Sequence, residues 1–220
     1  VDKRIKEDYL RVLRYFRFFL NYSKQPHDPD ILRKLKINID GVSNLSKERL
    51  LDELKKMIKL NVLEKLSKDK HSLEIFSMIF PELRNINFFS KLNENKKGIL
   101  KNNDFIFWLS LMIIDQTDNS DYFLFKFNIS KKDKKRIKFI DNFNKQKITS
   151  MTFTEKNLNK VFYYHGIHTV MDILNFKMIK SQKFDNKLLE LSEFYKNKKI
   201  PVMPFGADVL MKKYKIKEGK

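Results

Sequence analysis

Glu7-Asp8-Tyr9-Leu10-Arg11-Val12-Leu13-Arg14-Tyr15-Phe16-Arg17-Phe18 carries two interleaved periods. Ile5, Tyr9, Val12, Leu13, Phe16 and Leu20 fall at helical spacing and form one apolar face. Asp8, Arg11, Arg14 and Arg17 recur every third residue. Each step advances about 4.5 Å along the axis and turns back by about 60°, so the charges wind round the opposite side. The stretch predicts an amphipathic helix over 4–20, with a core seam on one side and guanidinium groups on the other.

The same reading extends outward. Pro26 and Pro29 stop the first helix, and a short helical piece, 31–36, leads to a turn at Asp40-Gly41. Ser46 is placed as an N-cap, with Leu45 and Leu50 positioned for a hydrophobic staple, opening a helix that runs to about Leu66. Further helices are predicted over 71–80, 83–92, 104–115, 131–146, 154–165, 167–180 and 184–198. Ser130 with Asp133 and Thr154 serve as starts, and Gly166 as a stop. Phe123, Phe125, Phe127 and Ile129 alternate like a strand without a partner, which predicts an extended connector. The fold class is therefore all-α, an elongated multi-helix chain with no stable sheet. The Asn-rich stretch 93–103 predicts a boundary between a region at 1–92 and a second at 104–220.

Composition supports helices. Only 5 Gly and 5 Pro occur in 220 residues, too few for the turns of a sandwich or barrel, while 42% apolar content with 20 Phe supports a core. No cysteine is present, which excludes disulfide frameworks and thiolate metal sites and suits a reducing, cytoplasmic setting. The longest apolar run, Phe105 to Ile114, is about half of the ~20 residues a membrane span needs, so no membrane partner is expected.

Lys and Arg number 46 against 27 acids, a net charge of +19, which points to a polyanion such as RNA. Neutral accumulation of Lys in a chain rich in Asn, Ile and Phe is the competing reading. Arginine is more telling. Of eight arginines, four (Arg4, Arg11, Arg14, Arg17) lie in the first 17 positions, where a planar multi-donor fork is being selected over a point charge. Asp8 and Arg11 together offer an acceptor and donors suited to the edge of a nucleobase, and Arg14 and Arg17 suit phosphates. The plainer alternative is a solvated face with an Asp8–Arg11 pair worth about 0.2–0.5 kcal/mol.

Glu7-Asp8-x-x-Arg11-x-x-Arg14-x-x-Arg17-Phe18 resembles the E-D-x-x-R motif of bacterial class II CCA-adding enzymes and poly(A) polymerases. The resemblance implies that Asp8 and Arg11 read incoming CTP or ATP while Arg14 and Arg17 help hold the nucleotide. Ser46-Lys47-Glu48-Arg49-Leu50-Leu51-Asp52-Glu53-Leu54 looks like the family's S-x-E-R-x-x-x-E-L segment in the neck, implying that Glu48, Arg49 and Glu53 support the reading helix. Pro201 to Leu210, followed by Lys215-Ile216-Lys217-Glu218-Gly219, is similar to the family's tail, with Lys215 where a glycine is usual. The resemblance covers almost the whole chain and implies a neck, body and tail that hold the acceptor arm of tRNA.

The resemblance implies that the family's head carries a Gly-Ser turn, a D-x-D pair binding two Mg²⁺ ions and an R-R-D segment, and none of these three is expected in residues 1–220. No catalytic residue or metal ligand is therefore expected in this chain, which should depend on a head in cis or on a split subunit. Poly(A) addition, or a non-catalytic basic RNA-binding adaptor, is the alternative. Lys131, Lys132, Lys134 and Lys135 are candidates for RNA phosphates. His165-x-x-His168 has no neighbouring carboxylate and is expected to be structural, and Trp108 is assigned to the core.

Overall fold

Asp8 interrupts the first predicted helix. Its carboxylate accepts the Leu10 N–H at 3.1 Å, and Asp8, Arg11 and Val12 each bond a carbonyl three residues back rather than four. The ladder tightens there by one turn, giving α1 (Asp2–Glu7) and α2 (Leu10–Tyr22) in place of one helix. These elements belong to a computed structural model, which describes residues 2–145, 153–183, 185–199 and 207–215. The chain is all-α, and the described residues contain no strand.

Downstream, α3 (Pro29–Ile37) starts on the Asp28 cap with proline in its first turn, and a 3₁₀ segment follows at Ile39–Asn44. Ser46 caps α4 (Lys47–Met57) by accepting the Arg49 N–H at 3.3 Å, as predicted. The helix does not continue to Leu66. Lys59 is extended, at φ −138° and ψ 150°, and α5 (Leu60–Lys68) sets off anew with Val62, Leu63 and Leu66 buried. α6 (Lys70–Ile79) is capped by Asp69.

The predicted helix at 83–92 is instead a 3₁₀ segment, Ile86–Lys91, held where the Asn85 amide donates to the Met112 and Ile114 carbonyls. The stretch 93–103 forms α7 (Glu94–Lys101), capped by Asn93. α8 (Phe105–Ile113) buries Phe107 through Ile113 and carries Trp108, stacked on Phe89.

The expected extended connector is a helix, α9 (Asn119–Lys126). Phe123 and Phe127 are buried and stacked at 4.5 Å as an i,i+4 pair, whereas Phe125 is 89% exposed. Alternation of aromatics mimicked a strand because every second ring had its own environment. α10 (Lys131–Lys145) opens with a reciprocal Ser130–Asp133 pair. α11 (Glu155–Lys180) is kinked at Gly166, whose φ of 79° and ψ of 175° break the helix where the stop was predicted. α12 (Asn186–Asn197) and α13 (Ala207–Tyr214) complete the described residues.

Buried side chains form two clusters. The larger runs from Ile5 to Ile140 and includes Phe176 and Ile179; the smaller groups Phe143 with Leu158, Phe162, Ile173, Leu174, Leu188 and Tyr195. The second half of α11 serves both, because it is apolar on two sides. A polar joint connects them. Arg136 on α10 pairs bidentately with Asp172 on α11, at 2.6 and 2.8 Å, and also with Asp104, the cap of α8. The Asp172 bonds first, and then Asp104 against the cost of burial, hold the Arg136 guanidinium well above its ordinary range. Nearby, Lys96 and Lys180 both lie over the Phe88 ring, at 5.9 and 5.3 Å.

Candidate nucleotide-facing site

The break after α1 places Asp8 at the mouth of α2, and Tyr9 beside it explains why Gly41 is a glycine. A Cβ on Gly41 would lie 2.0 Å from Tyr9 Cε1, so the ring crosses the 3₁₀ turn in direct contact with backbone. Tyr9 packs against the larger cluster, which fixes its neighbour Asp8 in turn.

Asp8 is heavily used. One carboxylate oxygen accepts from Leu10 N at 3.1 Å and from Arg49 Nη2 at 3.0 Å, while the other faces Arg14 Nη1 at 3.8 Å. Arg11 is exposed and has no hydrogen bond or ion pair from its side chain among the described residues. The Asp8–Arg11 pairing considered from spacing alone is therefore not formed; α4 supplies the partner instead. Arg17 is drawn inward. Its Nε donates to Glu53, which is 1% exposed, and Lys56 approaches the same carboxylate at 3.5 Å. The Arg17 guanidinium also covers the Phe18 ring at 4.4 Å.

The two helices thus meet through two arginine–carboxylate contacts in opposite senses. Arg49 of α4 reaches Asp8, and Arg17 of α2 reaches Glu53 of α4. Glu48 is exposed in the first turn of α4, placed for the helix dipole and touching neither arginine. Four arginines (Arg11, Arg14, Arg17, Arg49) stand against two carboxylates (Asp8, Glu53), so the cluster is net cationic; Arg11, Arg14 and Arg49 are exposed, and Arg11 alone of the four has no carboxylate partner among the described residues. Chemically, such a surface can hold an anion and present planar donors to a flat ligand.

Elsewhere, Lys131, Lys132 and Lys135 are exposed and Lys134 half-buried on the first turns of α10, without ion pairs among the described residues. His165 and His168 are exposed, with His165 against Phe139. Among the described residues no group of three or more His, Cys, Asp or Glu is placed to hold a metal ion, so the residues present do not fit a two-metal centre. No described helix is long and apolar enough to cross a membrane. The expectation that no D-x-D occurs is corrected by Asp28-Pro29-Asp30, which is a helix cap. Asp28 accepts from Asp30 N and Ile31 N, and Asp30 pairs with Arg33 at 3.1 Å. The Asp-Pro dipeptide was the sequence sign of that capping role. Of the tail similarity, Pro201–Gly206 and Ile216–Gly219 lie outside the described residues. Lys215 has a φ of 53°, the left-handed conformation that a glycine would adopt without strain.

Fold and cluster together define an all-α, strongly basic chain that presents guanidinium groups from a helix braced by a second helix. No protein-family profile matches the chain. It is 36% identical over 99 residues to the human CCA tRNA nucleotidyltransferase 1, mitochondrial, covering 44% of this chain and 23% of that protein. Against the Danio rerio protein of the same name it is 47% identical over 57 residues, 25% of this chain and 13% of the relative. A third similarity is longer: 28% identity over 176 residues to the CCA-adding enzyme of Staphylococcus haemolyticus, 78% of this chain and 40% of that enzyme. The chain is thus homologous to tRNA nucleotidyltransferases and spans less than half the length of these relatives.

Proposed function

We propose that this chain is the base-reading and tRNA-binding part of a template-independent nucleotidyltransferase that adds CMP and AMP to RNA 3′ ends. The observation that carries this reading is the braced α2 mouth, where Asp8 is held by Arg49 while Arg11 projects unpaired. Asp8 and Arg11 read the edge of CTP or ATP, and Arg14 extends toward the phosphates. Arg17, engaged by Glu53, acts through the orientation of α2 and Phe18. Glu48, Arg49 and Glu53 support the reading helix. The names of the relatives support CTP and ATP as substrates and tRNA as partner. Mg²⁺ and the paired carboxylates that use it belong to a catalytic head joined in cis or as a separate subunit; residues 1–220 alone add no nucleotide.

The test is steady-state incorporation of CTP, ATP, UTP and GTP on a tRNA acceptor, with the head supplied. Arg11→Ala is expected to lose about 5- to 150-fold in kcat/KM or discrimination, from about 1–3 kcal/mol per unpaired buried group. Arg11→Lys fails nearly as badly, because an ammonium lacks the fork. Asp8→Asn keeps an oxygen for the Leu10 N–H and so separates base reading from capping; Asp8→Ala loses both. Arg14→Ala raises KM for CTP and ATP alike. Wild-type selectivity and rate in both Asp8→Asn and Arg11→Ala would return α2 to the role of a solvated, salt-bridged face.

A further inference from the structure

Three planar groups line up on α2. The Arg17 guanidinium lies 4.4 Å from the centre of the Phe18 ring, and that ring stacks with Tyr22 at 6.2 Å and 28° between planes. One end of the row is anchored, since Arg17 donates to the buried Glu53. The other end is open. Tyr22 is 76% exposed and Phe18 52%, and the Tyr22 side chain has no hydrogen bond among the described residues. A helical turn of about 100° per residue puts Arg11, Phe18 and Tyr22 within about 20° of one exposed stripe, with Arg14 beside it.

Large aromatic rings are costly to leave in water, and a pair stacked on each other with a free outer face invites one more flat group. The charge around the row selects which. Arg11 and Lys24 are exposed and carry no ion pair among the described residues, and Arg14 is engaged only by Asp8 at 3.8 Å. No exposed acid lies on the stripe between Arg11 and Tyr22. An occupant with both a π-face and a negative backbone satisfies ring and charge together, and an unpaired stretch of nucleic acid has both. The geometry points to Tyr22, backed by Phe18 and Arg17, as a stacking platform for an unpaired base of the RNA substrate. This rests on the reading of the partner as RNA given above. The platform lies about 16 Å along the helix axis from Arg11. It therefore holds a base other than the one Arg11 reads.

The experiment titrates the 220-residue chain against two probes, a short fluorescently labelled oligo(C) strand and a blunt RNA hairpin with the same number of phosphates. Tyr22→Ala is expected to weaken the single strand by about 5- to 150-fold while leaving the hairpin unchanged. Tyr22→Trp retains single-strand binding, and Phe18→Ala weakens it through the lost backing ring. Because Tyr22 is exposed, its thermal unfolding midpoint should match the parent, which separates platform loss from misfolding. Equal affinities of Tyr22→Ala and parent for oligo(C), or equal losses on both probes, overturn the platform and assign the rings to a protein contact. A parent chain that binds neither probe overturns the RNA reading and the platform with it.

Discussion

Lys180 sits where burial and charge conflict. Its ammonium lies over Phe88 and Phe176, at 5.3 and 5.9 Å. Loss of water pulls its pKa down from 10.5 to about 8, with Asp115 only partly opposing. The folded chain therefore holds this proton less tightly than the unfolded chain, so the penalty is complete below about pH 8 and is relieved as pH rises toward 10.5. Lys180→Met is expected to be more stable than the parent at pH 7, by about 1–2 kcal/mol after allowance for solvent screening. The gain should shrink toward zero by pH 10 in paired urea titrations. A gain that stays constant across that range would show that packing, not charge, separates the two. Glu53 is the opposite case, a buried carboxylate whose cost is met by Arg17 and Lys56.

Among the elements, two residues at positive φ carry opposite consequences. Gly166, at φ 79° and ψ 175°, has nothing within 4 Å of where a Cβ would stand, so an alanine there meets backbone strain without a clash. Gly166→Ala is expected to cost about 1–3 kcal/mol. Lys215→Gly, at φ 53°, relieves strain of about 1 kcal/mol at the end of α13. Thermal unfolding of the two variants should move in opposite directions; a shared direction would sink the argument. These positions also show what the sequence made legible. Ser46, Thr154 and Gly166 announced helix ends through their own chemistry, and α4, α6, α8 and α10 followed from apolar spacing. The breaks at Asp8-Tyr9 and Ile58-Lys59 contain neither Gly nor Pro; Asp8 makes the first by accepting the Leu10 N–H, a role hidden inside a continuous apolar period, and no local pattern marks the second. For the same reason Arg11, Arg14 and Arg17 were identifiable as a set, while the division among them was not. Which arginine stays free depends on where α4 places Arg49 and Glu53.

Over the whole molecule, charge sets the expected behaviour toward RNA. With a net charge of +19, affinity for tRNA-sized RNA should fall linearly with salt on logarithmic axes, by about 0.7 to 0.9 per phosphate neutralised. Neutralising Lys131, Lys132, Lys134 and Lys135 together should flatten that line by roughly 3 to 4 units if all touch phosphate. An unchanged slope would leave these lysines to solvent, while the α2 arginines kept their part of the binding.

The Arg136 joint has a consequence for how the chain comes apart. α10 and α11 send apolar side chains into both clusters, and the ionic contacts of Arg136 join them at the surface, where Asp104 is 58% exposed. Burial pushes the Asp104 carboxyl up, yet Arg136 and the Phe107 N–H hold it below the ordinary carboxylate value, so this contact weakens as acid protonates it. Protons and salt reach such a seam before they reach either interior. Two stretches of backbone should then exchange their amide hydrogens as separate cooperative blocks, one for each cluster, drifting apart in rate as the seam is loosened. The Arg136 contacts are in this sense the acid- and salt-sensitive part of a joint whose remainder is apolar, since α10 and α11 each send side chains into both clusters.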